Sequence, residues 1–255
     1  MLAIERRDSI MKALETNGNA MVSDLSSQLG VTEETIRRDL VKLEKDKRIR
    51  RVHGGAYLLK GVERTVPVEL RRRFFVEEKR KIAIRCLNMI EERDNIMLDC
   101  STTALVIAQE IREAKRSVTV ITNSFDIVQV LGGCSFISVT CIGGIYKPET
   151  SSFRGHMALM NLDGFYAEKA FVSCSSLHLN FGVTDDVESE AKIRATMLAH
   201  SQKRILIADN TKFNSVAAHK LAGFDLLNCI VTDSELNEEW LAILNRFSVE
   251  VIIAA

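Results

Sequence analysis

The hydrophobic pattern of residues 20–45 predicts two short helices joined by a tight turn. In the first helix, Leu25 and Leu29 lie four positions apart and therefore share one face. Ser23 is suited to cap the start of this helix. Gly30 is suited to end it, because glycine tolerates the left-handed backbone that follows many helices.

The second predicted helix carries an apolar stripe of Ile36, Leu40 and Leu43, and Thr32 is its expected N-cap. At roughly 100° per residue, Arg38 points away from that stripe. The exposed side therefore presents a fork-shaped guanidinium that can bond guanine edges or phosphates. An ordinary solvated helix face is the alternative, and the segments on both sides of the two helices weigh against it.

An apolar helix precedes the two helices, and residues 49–57 follow them as a basic β-hairpin with a glycine turn. This order is typical of a winged helix-turn-helix, in which basic residues of the wing lie against phosphates. The predicted DNA-contacting residues are Ser23, Thr32, Thr35, Arg37, Arg38, Lys42, Arg50, Arg51 and His53.

Beyond residue 90 the pattern changes to short apolar runs that alternate with helical patterns. The predicted strands are Ile96–Leu98, Val118–Ile121, Phe136–Ile142, Ala170–Val172, Ile205–Ala208, Cys229–Val231 and Val249–Ile253. The predicted helices are Ala104–Lys115, Phe125–Leu131, Glu188–Ser201 and Glu238–Arg246. Alternating strands and helices imply an α/β domain with a mostly parallel sheet covered on both faces.

These patterns divide the chain into a DNA-binding domain at 1–58, a connector and linking helix at 59–90, and an α/β domain at 91–255. The linking helix is expected to run from about Val68 to Ile90. Its arginine run at 71–73 has three open interpretations: a DNA contact, a solvated face or a contact between subunits.

Net charge is zero, but it is unevenly spread. Residues 1–80 hold 18 Lys and Arg against 13 Asp and Glu, and the remainder holds 16 against 21. A basic amino-terminal part and an acidic remainder are consistent with a DNA-binding module joined to a domain that does not bind DNA.

Cysteine and histidine positions give no sign of a metal site or a disulfide framework. The six cysteines are scattered without a C-x-x-C pair, several of them in apolar runs, and the five histidines are dispersed. We expect reduced core thiols, no metal and no cofactor. With no leader and no long uncharged apolar run, we expect a cytoplasmic protein without a membrane association.

Polar side chains follow several predicted strands, where ligands bind in open parallel sheets. Ser101, Thr102 and Thr103 precede a helix, and hydroxyls with free N–H groups at such a place suit a phosphate. The groups expected to bond sugar hydroxyls or set the charge of the pocket are Asp99, Asn123, Asp209 and Lys212. For any single loop, the alternative is that these residues merely cap helices.

Motifs along almost the whole chain resemble the DeoR family of bacterial sugar-metabolism regulators. They are Glu34-Thr35-Ile36-Arg37-Arg38-Asp39-Leu40, Leu43-Glu44, Arg51-Val52-His53-Gly54-Gly55-Ala56, Glu78-Lys79 with Ile82-Ala83, Asp99 to Thr103, Thr122-Asn123-Ser124, Gly143-Gly144, and Asp209 with Thr211-Lys212-Phe213. The resemblance implies a winged helix-turn-helix followed by a sugar-phosphate sensor domain similar in fold to ribose phosphate isomerases. It also implies repression of a carbohydrate operon that a phosphorylated sugar relieves.

Carried over by this resemblance, the effector-binding residues are Asp99, Thr102, Thr103, Thr122, Asn123, Gly143, Gly144, Arg154, Asp209 and Lys212. Ser101 joins the predicted effector-binding residues because its hydroxyl belongs to the run before the helix. Two positions depart from the family pattern. Ser101 stands where the family usually has glycine, so its side chain narrows the phosphate seat or adds a hydroxyl. Lys47 stands where the family often has glycine before the wing.

Three functions remain open at this stage. The first is a DNA-binding repressor that responds to a phosphorylated sugar and acts as a homodimer or homotetramer on a double-stranded operator. The second is a sugar-phosphate isomerase-like enzyme that uses Asp99, Asp209 and Lys212 as acid-base groups. The third is an architectural DNA binder without a ligand, which leaves the polar strand ends unexplained.

Overall fold

A computed structural model describes residues 2–17, 19–45, 49–52, 54–58 and 68–254. The chain separates into two compact units, Met1–Val76 and Glu77–Ala255. The predictions for Lys47, His53 and the connector at 59–67 lie outside the described residues.

The amino-terminal unit is a helix-turn-helix with a wing. Its elements are α1 (Ala3–Asn17), β1 (Asn19–Met21), α2 (Val22–Leu29), α3 (Glu33–Lys45), β2 (Ile49–Val52), β3 (Gly55–Leu58) and α4 (Val68–Arg73). The predicted hairpin of β2 and β3 is present, and β1 pairs with β3 as a third antiparallel strand that the sequence pattern had not indicated. Ile10 and Leu14 of α1 share one core with Ile36 and Leu40 of α3.

The prediction that Ser23 caps α2 is wrong. The helix begins at Val22, Met21 is the N-cap, and the Ser23 hydroxyl donates to the Asp24 carboxylate at 3.3 Å. The physical reason is that β1 runs straight into α2, so the Val22 N–H donates to the Gly54 carbonyl of the wing turn at 2.7 Å. Gly30 ends α2 as predicted, at a φ of 63°.

The single linking helix predicted from Val68 to Ile90 is also wrong. α4 ends at Arg73, and α5 (Val76–Leu87) begins after a break. Phe75 has a φ of 55°, which no α-helix accommodates. Neither glycine nor proline marks the break in the sequence.

The carboxyl-terminal unit is built on one sheet. After α5 its elements are β4 (Asn95–Leu98), α6 (Thr102–Glu113), β5 (Val118–Thr122), α7 (Phe125–Leu131), β6 (Ile137–Cys141), β7 (Ile145–Lys147), β8 (Ser152–Arg154), α8 (His156–Leu162), β9 (Ala167–Val172), β10 (Ser176–His178), β11 (Gly182–Asp185), α9 (Glu188–Ala199), β12 (Ser201–Ile207), β13 (His219–Ala222), β14 (Cys229–Thr232), α10 (Glu238–Arg246) and β15 (Glu250–Ile253). The seven predicted strands form a parallel sheet in the order β15-β14-β12-β9-β4-β5-β6.

Helices cover both faces of this sheet, as predicted. One apolar core joins α5, α6 and α7 to the face that carries Ile96, Val120 and Ile205. The other core joins α8, α9 and α10 to the opposite face, which carries Met97 and Leu206. Successive strand residues point to opposite faces, so both members of pairs such as Ile96 and Met97 are buried.

Two smaller sheets and a helix were not predicted. β7 pairs with β8 in an antiparallel hairpin, β10, β11 and β13 form a three-stranded sheet, and α8 follows β8. The described part of the chain contains no helix with the length and apolar character to span a membrane. All six cysteines are free, and Cys141 is exposed rather than part of a core.

Candidate nucleic-acid interface and ligand site

α3 presents its arginines on the side opposite its buried stripe. Ile36, Leu40 and Leu43 are buried, whereas 76% of the Arg38 side chain and 52% of the Arg37 side chain are exposed. Each guanidinium is paired with a carboxylate one turn earlier on the helix, Arg37 with Glu33 at 2.6 Å and Arg38 with Glu34 at 3.5 Å. Exposed pairs of this kind are worth only about 0.3–0.5 kcal/mol, so DNA can displace them.

The start of α3 is capped as predicted. The Thr35 N–H donates to Thr32 Oγ1 at 3.3 Å, and the two threonine hydroxyl oxygens lie 3.0 Å apart. Ser23, Thr32 and Lys42 are exposed, and Thr35 is half-buried. The N-terminal end of α3, where helix-turn-helix proteins contact base edges, is thereby accessible.

A buried ion pair holds α3 against α1, and sequence reasoning missed it. Asp39 is 2% exposed, and its carboxylate accepts a 2.5 Å hydrogen bond from Arg6 Nε. The signal in the sequence is an acidic residue between Arg38 and Leu40, next to the apolar stripe. Asp39 therefore positions the helix and does not face solvent.

A second carboxylate fixes the wing. Glu44 of α3 accepts from the Arg51 backbone N–H at 2.8 Å and from Arg51 Nε at 2.6 Å. The turn also needs its glycines, because Gly54 has a φ of 83° and a Cβ at Gly55 would meet the Ala20 carbonyl oxygen at 2.6 Å. Helix α3 and strand β1 thus position the described part of the wing. The Arg50 side chain and His53 lie outside the described residues.

In the carboxyl-terminal unit, the loops after the parallel strands meet at one edge of the sheet. The Ser173 N–H after β9 donates to Asp99 after β4 at 3.2 Å. Thr122 at the end of β5 donates to the Leu98 carbonyl at 2.7 Å. Buried polar side chains from three neighbouring strands therefore line the carboxyl edge.

Asp99 is fully buried, and both of its carboxylate oxygens are engaged. Oδ1 accepts from the Ser101 N–H at 3.2 Å and from the Ser101 hydroxyl at 2.6 Å. Oδ2 accepts from the Ser173 N–H and from Arg194 Nε, the latter at 2.7 Å. Asp99 thus shapes the loop and holds α9. Of the two roles predicted for it, these contacts favour setting the charge of the pocket over bonding a sugar hydroxyl.

The loop after β4 leads into α6 in a way that suits an anion. The Ser101 hydroxyl accepts from the Ala104 N–H at 3.1 Å and caps the helix. Thr102 and Thr103 occupy the first turn, are buried, and find no acceptor for their N–H groups among the described residues. First-turn N–H groups at the positive end of the helix dipole attract phosphate.

Strand β8 contacts the loop that follows β5 and the helix α9. The backbone carbonyl of Asn123 accepts from the Phe153 N–H at 2.8 Å, and the Asn123 side-chain Nδ2 donates to the Phe153 carbonyl at 3.3 Å. Arg154 is 8% exposed and reaches Glu190 of α9, with 3.4 Å between Nη1 and Oε1. Sequence reasoning had named Asn123 and Arg154 but not Glu190.

Gly143 and Gly144 serve the packing of the hairpin. Gly143 has a φ of 67° and Gly144 a φ of 114°. A Cβ at Gly144 would lie 2.8 Å from the Arg154 carbonyl oxygen and 2.9 Å from the Ala158 Cβ. The two glycines therefore let β8 and α8 approach the end of β6, which brings Arg154 to the carboxyl edge.

Arg194 is the centre of the buried charge cluster. Its guanidinium contacts Asp99, Asp185 and Glu190, all of them buried. It also reaches the Cys100 sulfur at 3.9 Å. Burial, with Glu190 adding to it, raises the pKa of the Cys100 thiol to about 12, so this cysteine is a neutral packing residue.

Comparisons with known proteins assign a domain family to each of the two units. Residues 6–62 match the DeoR-like helix-turn-helix domain, and residues 75–234 match the DeoR C terminal sensor domain. The chain belongs to the DeoR family of transcriptional regulators.

Two relatives extend over nearly the whole chain. The uncharacterized HTH-type transcriptional regulator YulB of Bacillus subtilis is 34% identical over 251 residues, which cover 98% of this chain and 96% of the relative. The lactose phosphotransferase system repressor of Lactococcus lactis is 28% identical over 245 residues, which cover 95% of this chain and 96% of the relative. Among solved structures, ribose 5-phosphate isomerase A of Methanocaldococcus jannaschii is similar over 53% of each chain, at 16% identity and a TM-score of 0.39.

The ligand-site residues predicted for this DeoR-family protein are brought together to different degrees. The loops of Asp99, Thr122 and Asn123 are linked by the contacts above, and Arg154 joins them through β8. Asp209 follows β12, which β9 separates from β4, and its carboxylate accepts from the Thr211 N–H at 3.0 Å as the cap of a short helix at Asn210–Lys212.

Proposed function

We propose that this DeoR-family protein represses genes for carbohydrate uptake or breakdown, and that a phosphorylated sugar bound at the carboxyl edge of its sheet releases it from its operator. It acts in the cytoplasm, where its DNA target lies. A ligand releases the operator only if it binds the free and DNA-bound states with different affinity.

The observation that carries the DNA-binding half is the exposure of Arg37 and Arg38 on a helix anchored by its buried face. Arg38 lies opposite Ile36, Leu40 and Leu43, and the wing tied to α3 by Glu44 adds Arg51. Guanidinium groups on α3 read base edges in the major groove, and those of the wing bind phosphates.

The ligand-binding part of the proposed function is supported by the start of α6. Thr102 and Thr103 offer two hydroxyls and two N–H groups within a buried polar cluster. A monoanionic or dianionic phosphate accepts hydrogen bonds from all of these groups. The lactose phosphotransferase system repressor, a full-length relative, is named for a carbohydrate system, which supports a sugar as the rest of the ligand.

The operator is expected to be palindromic or repeated. A helix-turn-helix protein reads two half-sites about one helical turn apart, with one copy on each. The protein therefore acts as a homodimer or homotetramer.

The enzyme alternative is weaker in this structure. An acid-base catalyst needs a carboxylate that is free to exchange a proton with its substrate. Asp99 accepts four hydrogen bonds, and Asp209 caps a short helix. Steady turnover of ribose 5-phosphate by the full-length protein would favour the enzyme.

The direct experiment measures release of operator DNA by phosphorylated sugars. The operator is selected from a random DNA library with the full-length protein, and fluorescence anisotropy follows its release by glucose 6-phosphate, fructose 6-phosphate, fructose 1-phosphate or ribose 5-phosphate. We expect at least one of these to weaken DNA binding more than tenfold, and Thr102→Ala to lose that response. Thr196→Ala, the same change on the outer side of α9, is the control and should respond as the wild type does.

A further inference from the structure

The hairpin of β7 and β8 has one edge that pairs with no other strand among the described residues. β7 (Ile145–Lys147) pairs with β8 on one side, and the sheet that they form has two strands. The far side of β8 is covered, because the Phe153 N–H donates to the Asn123 carbonyl at 2.8 Å. The open edge is therefore the outer side of β7. Such an edge is a template on which another strand can pair.

The hydrogen bonding of β8 shows which backbone groups of β7 point outwards. The Phe153 N–H donates to the Asn123 carbonyl, and the Phe153 carbonyl accepts from the Asn123 side chain at 3.3 Å. In an antiparallel pair, the N–H and C=O of one residue point to the same side. Both groups of Phe153 therefore point away from β7. Tyr146 lies opposite Phe153, so its N–H and C=O point away from β8. The outward donor and acceptor of β7 thus belong to one residue, Tyr146.

Large apolar side chains stand on both faces of this open edge. On one face, the Tyr146 ring lies 5.6 Å from the Phe125 ring and 5.5 Å from the Phe153 ring, between centroids. Tyr146 and Phe125 are exposed. On the other face, Ile145 is 62% exposed and lies beside the start of α8, where Met157 is 58% exposed. Aromatic residues and methionine are enriched in protein interfaces, and a contiguous exposed apolar patch marks one.

A second copy of this chain fits the open edge better than an unrelated strand does. Tyr146 offers one donor and one acceptor, and an antiparallel pair of two Tyr146 residues satisfies both reciprocally about a two-fold axis. The same axis brings the aromatic rings of the two copies side by side. It sets Ile145 of each copy opposite Lys147 of the other, so the two lysines do not face one another. An operator read by two copies requires a surface of this kind, which is complementary to itself.

The residue after β7 limits this pairing to one contact between two copies. Pro148 has no N–H, and its carbonyl already accepts from the Ser151 N–H at 3.2 Å. A ladder between two copies therefore ends at Pro148. Since β8 is covered, the hairpin has one edge to give, and the pairing uses it. The product is a closed dimer and not an open chain of molecules.

We propose that the sensor unit dimerises by antiparallel pairing of β7 with β7 of a second copy, centred on Tyr146. This inference rests on the proposed function, which needs two copies on the operator, and it names the surface that joins them. Arg154 lies on β8, opposite Ile145 of the pairing strand. A ligand that displaces β8 therefore acts on the dimer directly, and this gives the sensor unit a route to the operator.

The test changes Ile145 in two directions in the full-length protein. Ile145→Lys sets a positive charge opposite Lys147 of the other copy, twice in each dimer, whereas Ile145→Glu sets a negative charge there. Ile253→Lys, at an exposed isoleucine of the edge strand β15, is the matched control. Sedimentation velocity over a concentration series measures the dissociation constant between subunits. Isotope labelling of the three tyrosines reports hydrogen exchange at the Tyr146 amide by nuclear magnetic resonance.

We expect Ile145→Lys to weaken the association of subunits by about tenfold or more relative to Ile145→Glu. Like charges directly opposite destabilise a strand pair, opposite charges stabilise it, and the two-fold axis doubles the difference. Ile253→Lys should associate as the wild type does. The Tyr146 amide should exchange slowly in the wild type and quickly in Ile145→Lys.

Two results would overturn the inference while leaving release of the operator by a phosphorylated sugar in place. One is equal association of Ile145→Lys and Ile145→Glu. The other is fast exchange of the Tyr146 amide in an associated wild type, and this measurement decides alone if Ile145→Lys does not fold. A wild type that stays monomeric at concentrations that bind the operator would overturn the inference together with the two-copy operator.

Discussion

Arg194 of α9 donates a 2.7 Å hydrogen bond from Nε to Oδ2 of Asp99, in the loop that follows the central strand β4. The same guanidinium contacts Asp185 at the end of β11. Burial alone would lower the pKa of Arg194, but Asp185 and Asp99 raise it well above the ordinary value. One charged side chain therefore ties three elements together in the interior of the sensor unit.

Replacing this guanidinium should destabilise the carboxyl-terminal unit strongly. Arg194→Ala leaves the carboxylates of Asp99 and Asp185 buried without their cation, which costs about 3–5 kcal/mol in the free energy of unfolding. Urea unfolding followed by circular dichroism measures the difference. Lys192→Ala, an exposed position on the same helix, should change it by less than about 0.5 kcal/mol.

A methyl group at Gly144 should displace the hairpin that carries Arg154. The added Cβ would clash with the Arg154 carbonyl and with Ala158, at a φ of 114° that is unfavourable for alanine. We expect Gly144→Ala to lower the free energy of unfolding by about 1–3 kcal/mol and to weaken the response to a phosphorylated sugar. Gly133→Ala is the control, since no heavy atom lies within 4 Å of its added Cβ. Equal stability of the two variants would show that the close approach at Gly144 is unimportant.

Asp39 should be essential for stability without any contact to DNA. Asp39→Ala leaves Arg6 without its buried partner, and we expect a loss of about 3 kcal/mol in the amino-terminal unit. Hydrogen exchange of α1 and α3 amides reports this unit separately from the sensor unit. Unchanged protection in Asp39→Ala, at the level of the exposed control Asp8→Ala, would remove Asp39 from this role.

The cysteines should differ sharply in reactivity. Iodoacetamide at pH 8.5 should modify exposed Cys141 in the folded protein and leave Cys100 untouched, because the pKa of the Cys100 thiol is raised from 9.0 to about 12. The raised pKa adds stability below pH 9 that is lost as the pH rises towards 12. Peptide mass spectrometry after labelling identifies the modified residues. Fast labelling of Cys100 in the folded state would mean that the loop after β4 is open.

The main sheet could be predicted because its inner strands are largely buried on both faces. A run such as Ile96–Leu98 is continuously apolar, and several such runs that alternate with helical patterns indicate a parallel sheet. The hairpin of β7 and β8 carries no such signal, since all three residues of β7 are exposed. It is nevertheless this hairpin that brings Arg154 to the carboxyl edge of the sheet.

Sequence spacing identified the polar strand ends but not their partners. Asp99 and Arg194 are 95 positions apart, and no local pattern shows that the carboxylate is engaged. The same holds for Arg6 and Asp39. Long-range ion pairs depend on the tertiary fold, so a residue suited to bind a ligand can instead hold the site together.

The most direct test of the account is operator binding by Arg38→Ala. The control is Lys45→Ala, which removes the same charge from the far end of α3. We expect Arg38→Ala to lose the specific operator footprint, with affinity for the operator reduced by about 10–100-fold relative to random DNA. Lys45→Ala should keep its preference for the operator over random DNA. An undiminished footprint with Arg38→Ala would contradict the assignment of α3 as the helix that reads DNA.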